Sequence, residues 1–440
     1  MHIELASGCK ALALLDAFFG IVGLPPSDLI IYKMILTQCA VCATELGLTL
    51  GKKCGRCSTR YCGAECQVQH WKEGGHDTLC KKIKKAGGAE QYNANKKYAE
   101  AVSVAAEACA EDTKGQTCFI CTQALHWKTK EGLVRGCACR GTAGFAHVSC
   151  LAEQAKILVA EALENNLDKV NERWLRWCVC SLCEQKYHGV VQCALGWACW
   201  KTYVGQPETD QLLGPAMNLL GTGLSQAEHH EDALSVEEAN LSMLRRLGAS
   251  ERNILVMQGN LACTYARLGR DDEALCLRRD VYSGYLKLLG EEHRSSILAA
   301  YNYVLSLAAA KRSEEAKTLM RKTIPVARRV LGESDETTLR MRSNYGLALC
   351  EGAGASLRDL REAVNTLEDT ERIARRVLGS AHPEVGKIER VWIHAREKLR
   401  AGEALHAHAA RGTSHPLTEE TKETLRRACF HMENNKKSKD

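Results

Sequence analysis

Cysteine and histidine residues at short, regular spacings are the part of this sequence that could do chemistry. Thiolate and imidazole groups are the soft donors that zinc selects in four-coordinate sites. A gap of two residues lets both sulfurs of a pair converge on one ion, and a gap of three places both donors on one face of a helical turn. These eight donors predict two zinc ions, which replace the apolar core that residues 39–80 are too polar to form. The pairs are Cys39/Cys42, Cys54/Cys57, Cys62/Cys66 and His76/Cys80.

Residues 39–80 resemble a MYND zinc finger. The Tyr-Cys at 61–62, the Cys-Gln at 66–67, Trp71 and the final His-x3-Cys all fall in that family's register. Family members hold short proline-containing peptides on a surface that here carries Gln67 and Trp71; the alternative is that Trp71 only packs over the zinc module. Because the pairs interleave in that family, the resemblance implies one site of Cys39, Cys42, Cys62 and Cys66 and another of Cys54, Cys57, His76 and Cys80.

A second series of eight donors predicts two further zinc ions, and therefore four in the whole chain. It resembles the RING-CH variant of the RING finger, in which a Cys-x-Cys pair precedes a histidine by seven residues. Cys178 is a rival for Cys180, although only Cys180 leaves a two-residue gap before Cys183. The resemblance implies one site of Cys118, Cys121, His147 and Cys150 and another of Cys137, Cys139, Cys180 and Cys183.

This second series departs from the RING-CH pattern in two respects. Twenty-nine residues separate Cys150 from Cys180, and they are predicted to form a helix. Ala155 stands where the family has a tryptophan, with Trp174 and Trp177 as candidates to replace it. RING ligases dock a ubiquitin-conjugating enzyme on a shallow apolar surface and orient its thioester. Ile120 and Leu182 would contact that enzyme here; the alternative is a structural or peptide-binding zinc module.

The chain that follows contains an internal repeat. A fixed period near 40 residues with helical spacing predicts a solenoid of stacked helix pairs. In one repeat, Leu261 and Tyr265 share a helical face, Gly269 ends that helix, and Ala274 is small enough for the second helix to pack closely. An asparagine recurs every 42 residues, at Asn218, Asn260, Asn302 and Asn344.

Residues 209–383 resemble the tetratricopeptide repeats of kinesin light chains, with four repeats of period 42. His293 and the His-Pro at 382–383 stand in that family's places. In that family the asparagine faces a concave groove and can hydrogen-bond an extended peptide, so the resemblance makes Asn218, Asn260, Asn302 and Asn344 peptide-contact candidates. The alternative is that each asparagine satisfies a neighbouring helix end.

Charge and composition limit the classes of function. The formal charge is +6, of which residues 39–85 contribute +5. Fourteen thiolates holding four zinc ions would bring the chain near neutrality. Only the lysine run at 81–85 then offers the cation excess that phosphate binding needs, so nucleic acid is not expected as the principal partner. No glycine-rich phosphate loop, spaced nucleophile and base, or open metal site indicates an enzyme.

The cysteine content bears on the compartment. No apolar run is long enough to span a bilayer, and the best candidate for a secretory signal, residues 11–24, is short and broken by Asp16. Without secretion, 23 cysteines favour metal sites over disulfides and predict an intracellular protein of the cytoplasm or nucleus.

The sequence therefore predicts a mainly α protein, with two small zinc-stabilised cross-brace modules followed by an α-solenoid of tetratricopeptide-like helix pairs. The combination resembles a group of algal MYND proteins. The expected function is a zinc-binding adaptor or scaffold for protein partners; the alternative is a RING-type ubiquitin ligase whose repeats select the substrate. The expected segments are 1–38 (N-terminal segment), 39–80 (first finger), 81–117 (helical linker), 118–187 (second finger), 188–208 (connecting helix), 209–383 (repeats), 384–405 (capping helix) and 406–440 (disordered tail).

Overall fold

The computed structural model describes residues 39–42, 44, 46, 50–165, 167–351, 355–380 and 382–410. Two compact units divide the chain, Met1–Ala227 and Glu228–Asp440. The N-terminal segment 1–38 and the expected tail beyond residue 410 lie outside the described residues. The fold class is mainly α, as the sequence predicts. Within the described part of the chain, no helix combines the length and the apolar character that crossing a bilayer demands.

The first finger is built on a very short antiparallel hairpin and two helices. Strand β1 is Lys52–Lys53 and strand β2 is Arg60–Tyr61, with Lys52 opposite Tyr61. Helix α1 is Ala64–Lys72 and helix α2 is His76–Lys85. Its small core joins Leu46, Tyr61 and Ile83 to buried cysteines that belong to the ligand pairs. Sulfur atoms thus take up space that aliphatic side chains fill in an ordinary core.

The rest of the first unit is helical. Helix α3, Ala89–Ala108, follows Gly87 and Gly88, which both have positive φ. It packs on the helix Gly189–Tyr203, where the side chain of Gln91 donates to the carbonyl of Lys201 at 3.1 Å. The remaining helices of this unit are α4 (Val148–Asn165), α5 (Val170–Trp174), α6 (Gly189–Tyr203) and α7 (Leu213–Gln226).

The predicted continuous helix between Cys150 and Cys180 is wrong. Helix α4 ends at Asn165, whose side chain donates to the carbonyl of Glu161 at 3.1 Å and so competes with the helical hydrogen bonds. Two short 3-10 turns and α5 complete the segment. Ala155 is fully buried on α4, while the buried Trp177 lies in ring contact with Trp174 and Tyr203.

The second unit is a series of helices, each packed on its neighbours in the chain. Each Leu-Gly pair of the repeat ends a helix, since Gly248, Gly290, Gly332 and Gly379 all have the positive φ that side chains disfavour. The small residue predicted for the second helix is fully buried at Ala274, Ala316 and Ala363. The helices are α8 (His230–Arg246), α9 (Glu251–Arg267), α10 (Asp271–Leu289), α11 (Arg294–Ala309), α12 (Ser313–Val330), α13 (Glu336–Glu351), α14 (Leu357–Leu378) and α15 (Pro383–Ala410).

Two boundaries differ in detail from the expected segments. Helix α7, the first helix of the expected repeat array, belongs to the first unit. The capping helix expected over 384–405 is part of α15, which continues to Ala410.

Candidate metal centres and interaction surfaces

The structure brings the predicted donors together in four clusters. Within each cluster the ligand atoms all lie within 4.8 Å of one another. Cys180 belongs to a cluster, whereas its rival Cys178 does not. We number them site 1 (Cys39, Cys42, Cys62, Cys66), site 2 (Cys54, Cys57, His76, Cys80), site 3 (Cys118, Cys121, His147, Cys150) and site 4 (Cys137, Cys139, Cys180, Cys183).

Site 1 lies at the surface of the first finger. Cys62 follows strand β2, and Cys66 lies in the first turn of α1. The Sγ atom of Cys62 lies 3.4 Å from that of Cys42 and 3.5 Å from that of Cys66. Cys42 and Cys62 are exposed, whereas Cys39 is buried. The three-residue gap predicted to place Cys62 and Cys66 on one helical turn therefore spans a strand end and a helix start.

Site 2 is buried inside the same finger. His76 and Cys80 are one turn apart on α2, as their spacing predicts. The Sγ atoms of Cys54 and Cys80 are 3.9 Å apart, and Cys57 Sγ lies 3.4 Å from His76 Nε2. All four residues are buried.

Site 3 combines a turn with the start of α4. Cys150 lies in the first turn of that helix and His147 immediately precedes it. Nδ1 of His147 lies 3.3 Å from Cys121 Sγ and 3.7 Å from Cys150 Sγ. The other ring nitrogen lies 3.4 Å from the carbonyl of Ala124, which can only accept a hydrogen bond. That contact places the proton on Nε2 and leaves the Nδ1 lone pair facing the sulfurs.

Site 4 joins two distant parts of the second finger. The Sγ atoms of Cys139 and Cys180 are 3.8 Å apart. Gly144 lies against this site with φ of +85°, and a Cβ atom there would lie 2.5 Å from the Cβ of Cys139 and 3.3 Å from the Sγ of Cys137. A glycine is therefore required beside this site for both conformation and space.

Three of the Cys-x2-Cys pairs share one backbone turn, which we call the knuckle turn. The N–H of the first cysteine donates to the carbonyl five residues later, and the N–H four residues later donates back to the cysteine carbonyl. The residue four positions after the first cysteine has positive φ in all three turns: Ser58 at 62°, Thr122 at 60° and Glu184 at 55°. The turns begin at Cys54, Cys118 and Cys180, with both hydrogen bonds between 2.8 and 3.0 Å.

The distances fit zinc. With Zn–S bonds of about 2.3 Å, two sulfurs of a tetrahedral site lie about 3.8 Å apart, and a sulfur and an imidazole nitrogen about 3.6 Å apart. The donor–donor separations given above run from 3.3 to 3.9 Å. Four protein donors complete each tetrahedron, which is the arrangement of structural zinc and leaves no position for a reacting water.

Thiol acidity in the first finger differs within each site. The Thr44 hydroxyl and N–H lower the pKa of Cys42 to about 6, whereas the hydrogen bond with Cys62 raises the pKa of Cys66. Burial acts to raise the pKa of Cys54, but hydrogen bonds from His76 and nearby backbone groups outweigh it and lower the pKa to about 6. Burial raises the pKa of Cys80 to about 12.

The second finger repeats this division. Burial raises the pKa of Cys139 to about 11, while in Cys183 hydrogen bonds led by the Gln185 backbone overcome burial and lower the pKa to about 7. Hydrogen bonds from its own turn likewise lower the pKa of Cys118 against the effect of burial, and burial raises that of Cys150. The thiol of lowered pKa in each cluster ionises most readily, and thiols that are still protonated release protons when a divalent cation binds. Metal affinity therefore rises with pH.

Sequence reasoning missed the residues that surround the donors. His70 is buried, its Nδ1 lies 3.0 Å from the Tyr61 hydroxyl, and its ring centroid lies 4.9 Å from that of His76. Burial, with His76 nearby, lowers the pKa of His70 to about 4, so it packs as a neutral ring. Glu131 accepts from the N–H and hydroxyl of Ser149 at 2.7 and 2.8 Å, at the start of α4. No spacing rule marks either residue.

The predicted contact surfaces are only partly open. Trp71 is 45% exposed, which fits a peptide contact, and its ring also packs edge-on against His76 with the centroids 5.7 Å apart, which fits packing over the zinc module. Gln67 is half-buried. Ile120 and Leu182 are 36% and 51% exposed.

The four repeated asparagines are all half-buried, on the first helix of each expected pair. Asn344 donates to the Tyr301 hydroxyl at 2.9 Å, which ties α13 to α11. The backbone carbonyl of Asn302 accepts from Arg278 at 3.2 Å. Part of the polar capacity at these positions is thus used between helices.

Comparisons with known proteins identify two of the three regions. The family model of the MYND finger matches residues 39–80, and that of the tetratricopeptide repeat matches residues 254–295. A search of the curated proteins gives no match. The resemblance of residues 118–187 to RING-CH fingers stays a prediction.

Among solved structures, the chain is similar to a putative kinesin light chain of Podosopora anserina with nearly identical TPR-like repeats, at 20% identity over 53% of this chain and 99% of that chain, with a TM-score of 0.36. It is also similar to BtubC from P. vanneervenii, at 15% identity over 62% of this chain and 95% of that chain, with a TM-score of 0.38.

Proposed function

We propose that this protein is an intracellular, zinc-stabilised adaptor that binds protein partners through its MYND finger and its tetratricopeptide-like repeats. The observation that carries the proposal is the presence in one chain of a MYND finger, with donor clusters of four protein ligands each, and a repeat of helix pairs. Closed metal sites stabilise a fold and do not catalyse. The described cysteines are free thiols, which fits a reducing compartment.

The metal content follows from the four clusters. Each cluster offers four donors, so we expect it to bind one zinc ion, two per finger, with the sixteen donors of sites 1 to 4 as ligands. Elemental analysis of the purified full chain should give about four zinc ions per molecule. Fewer than two would contradict the assignment of zinc to both fingers.

The partner surface of the first finger is on α1. Val68 and Trp71 are three residues apart on this helix and 50% and 45% exposed, so they form an apolar stripe with Gln67 beside it. An apolar stripe with an adjoining amide suits a short proline-containing peptide, which offers rings to the tryptophan and carbonyls to the glutamine.

The partner surface of the repeats is on their first helices. Asn260, Asn302 and Asn344 occupy the same position of α9, α11 and α13, and each keeps part of its surface accessible. Repeated amides at one spacing can pair with the backbone of an extended peptide.

A display library of short proline-containing peptides, selected on the zinc-loaded full chain, tests both surfaces. We expect one class of ligands to be lost with Trp71→Ala and another with Asn302→Ala. Val104→Ser serves as the matched control, because Val104 is 52% exposed on α3, outside both surfaces. A selection in which neither substitution removes any ligand would overturn the adaptor proposal.

One observation favours the ubiquitin-ligase alternative. Ile120 and Leu182 hold the same position in two knuckle turns, each with its N–H 3.4 Å from the first cysteine sulfur, and both side chains are exposed. An autoubiquitination assay with a panel of conjugating enzymes decides between the two functions. Activity that is lost in both Ile120→Ala and Cys118→Ser favours the ligase, and an inactive wild type counts against it.

A further inference from the structure

The second finger contains a knuckle turn that has no cysteine pair. The N–H of His126 donates to the carbonyl of Glu131 at 3.1 Å, and the N–H of Lys130 donates to the carbonyl of His126 at 2.9 Å. Lys130, four positions after His126, has φ of +60°, and the equivalent residue of the three cysteine turns also has positive φ. His126 and Thr129 stand in the places of the two cysteines.

Hydrogen bonds replace the metal in this turn. Nδ1 of His126 accepts from the N–H of Thr129 at 3.1 Å and lies 2.8 Å from its hydroxyl, which also reaches the Glu131 carboxylate at 3.1 Å. The His126 ring packs edge-on against the ring of His147 in site 3, with the centroids 5.3 Å apart. The loop 126–131 is therefore closed on itself and anchored to a metal site.

This closed loop presents a tryptophan to solvent. Trp127 is 68% exposed, the largest value among the large apolar side chains of the described residues. The hydrogen bonds of the loop hold the backbone on either side of Trp127 at the surface. Exposed tryptophans on rigid supports are the residue type that most often supplies binding energy at protein interfaces.

An apolar groove begins next to the loop. It has a volume of about 370 Å³ and is lined by side chains of Ala106 from α3, of Ala110 just after that helix, and of Ala124, Leu125 and Leu133. Threonine and glutamine side chains also line it. A groove of this size and lining accepts an aliphatic or aromatic side chain.

The free charges beside the groove are mainly positive. Lys128 and Lys130 are exposed, and neither has an ion pair within the described part of the chain. Most nearby acids are engaged: Asp112 pairs with Arg135 at 2.5 Å, and Glu131 holds Ser149.

Two further groups complete this charge balance. Lys114 pairs with Glu111 at 3.6 Å. Beside the groove, Glu107 on α3 is a further exposed acid, and no ion pair is seen for it among the described residues. Glu131 keeps its charge, since Ser149 is neutral, but its carboxylate is turned inward to Ser149. The exposed lysines at the tip of the loop, rather than the net charge, therefore suit an anionic partner.

We propose that the loop 126–131 and this groove form a docking site for an acidic peptide segment, whose apolar anchor side chain enters the groove beside Trp127 while its carboxylates meet Lys128 and Lys130. The site is separate from the α1 surface and from the repeats, and it does not depend on either. The aliphatic lining favours a peptide side chain over a nucleic-acid base, which would ask for flat stacking surfaces on both sides.

Fluorescence anisotropy on the zinc-loaded full chain tests the proposal. The probe is a short labelled peptide with a central leucine pair flanked by runs of Asp and Glu. Two comparison peptides carry either serines in place of the leucines or lysines in place of the acids. We expect measurable binding of the first peptide alone, a loss of about tenfold or more in Trp127→Ser, and a several-fold loss with weaker salt dependence in the double variant Lys128→Glu/Lys130→Glu.

The control is Ile157→Ser, which removes another exposed apolar side chain, 48% accessible, from α4 of the same finger. Zinc content and thermal midpoint should be unchanged in Trp127→Ser, since an exposed ring contributes little to stability. Equal binding of all three peptides, or equal affinity in Trp127→Ser and Ile157→Ser, would overturn the proposal. So would tighter Trp127-dependent binding of a single-stranded oligonucleotide, which would assign the surface to nucleic acid.

Discussion

Replacing Gly144 by alanine should cost the second finger one metal ion. Gly144 and Gly141 lie in the same loop, and both have positive φ, +85° and +61°. Either alanine variant therefore carries a backbone strain of about 1 kcal/mol. Only at Gly144 would the new methyl group meet the site, 2.5 Å from the Cβ and 2.9 Å from the Sγ of Cys139. At Gly141 nothing lies within 4 Å.

The two variants thus share the strain and differ in the clash. Contacts of 2.5 Å force Cys139 to move by several tenths of an ångström or more, and a tetrahedral site tolerates displacements of only about 0.2 Å in its bond lengths. Loss of Cys139 leaves three donors in site 4. Since structural zinc contributes on the order of 10 kcal/mol to folding, the second finger should unfold at far lower temperature in Gly144→Ala than in Gly141→Ala.

Elemental analysis and thermal unfolding of the full chain measure both effects. We expect Gly144→Ala to hold about one zinc ion fewer than wild type and Gly141→Ala to hold the wild-type amount. Replacing zinc by cobalt adds a spectroscopic reading, because the intensity of the thiolate-to-cobalt bands reports the number of intact sites. Equal metal content in the two variants would refute the role given to Cys139 in site 4.

Three further predictions concern other parts of the chain. Cys180→Ser should lose a zinc ion by elemental analysis, whereas Cys178→Ser should keep all of them. Burial raises the pKa of Glu237 from 4.5 to about 7, so its stabilising neutral form is fully present below pH 4.5 and is lost as pH rises through about 7. Glu237→Gln should therefore gain about 3 kcal/mol over wild type in urea unfolding near pH 8 and little near pH 4.5. Gly346→Ala should destabilise by about 1–3 kcal/mol because its Cβ would lie 2.5 Å from Leu367, while Gly259→Ala, with open space, should stabilise by about 0.5–1 kcal/mol in the same assay.

The spacing of donors could be read from the sequence because a knuckle turn is local. Its two hydrogen bonds and its single positive φ join residues no more than five positions apart, so the pair of cysteines marks the turn completely. The helix pairs of the repeat could also be predicted from the sequence, since the period of 42 residues is set by two helix lengths and by the Leu-Gly pairs that end helices.

The end of α4 and the burial of His70 could not be predicted, because both depend on contacts that residue spacing does not encode. The end of α4 depends on Asn165, a residue that helices also tolerate in their interior. The buried His70 is placed by the hydroxyl of Tyr61, nine residues earlier. Neither contact has a motif, because each depends on where two side chains meet after folding.

The loop 126–131 shows most clearly what a motif search discards. A search for zinc donors passes over it, since Thr129 is no thiolate, yet its backbone is that of its metal-binding neighbours. The turn closes without metal because Nδ1 of His126 accepts from the N–H of Thr129, while the Thr129 hydroxyl donates to the Glu131 carboxylate. A turn free of metal can place a large ring, Trp127, outward without crowding a coordination sphere. The same backbone turn therefore serves in the finger both as a metal-binding turn and as the support of the proposed docking site. The side chains at its first and fourth positions, two cysteines or His126 and Thr129, decide between these roles.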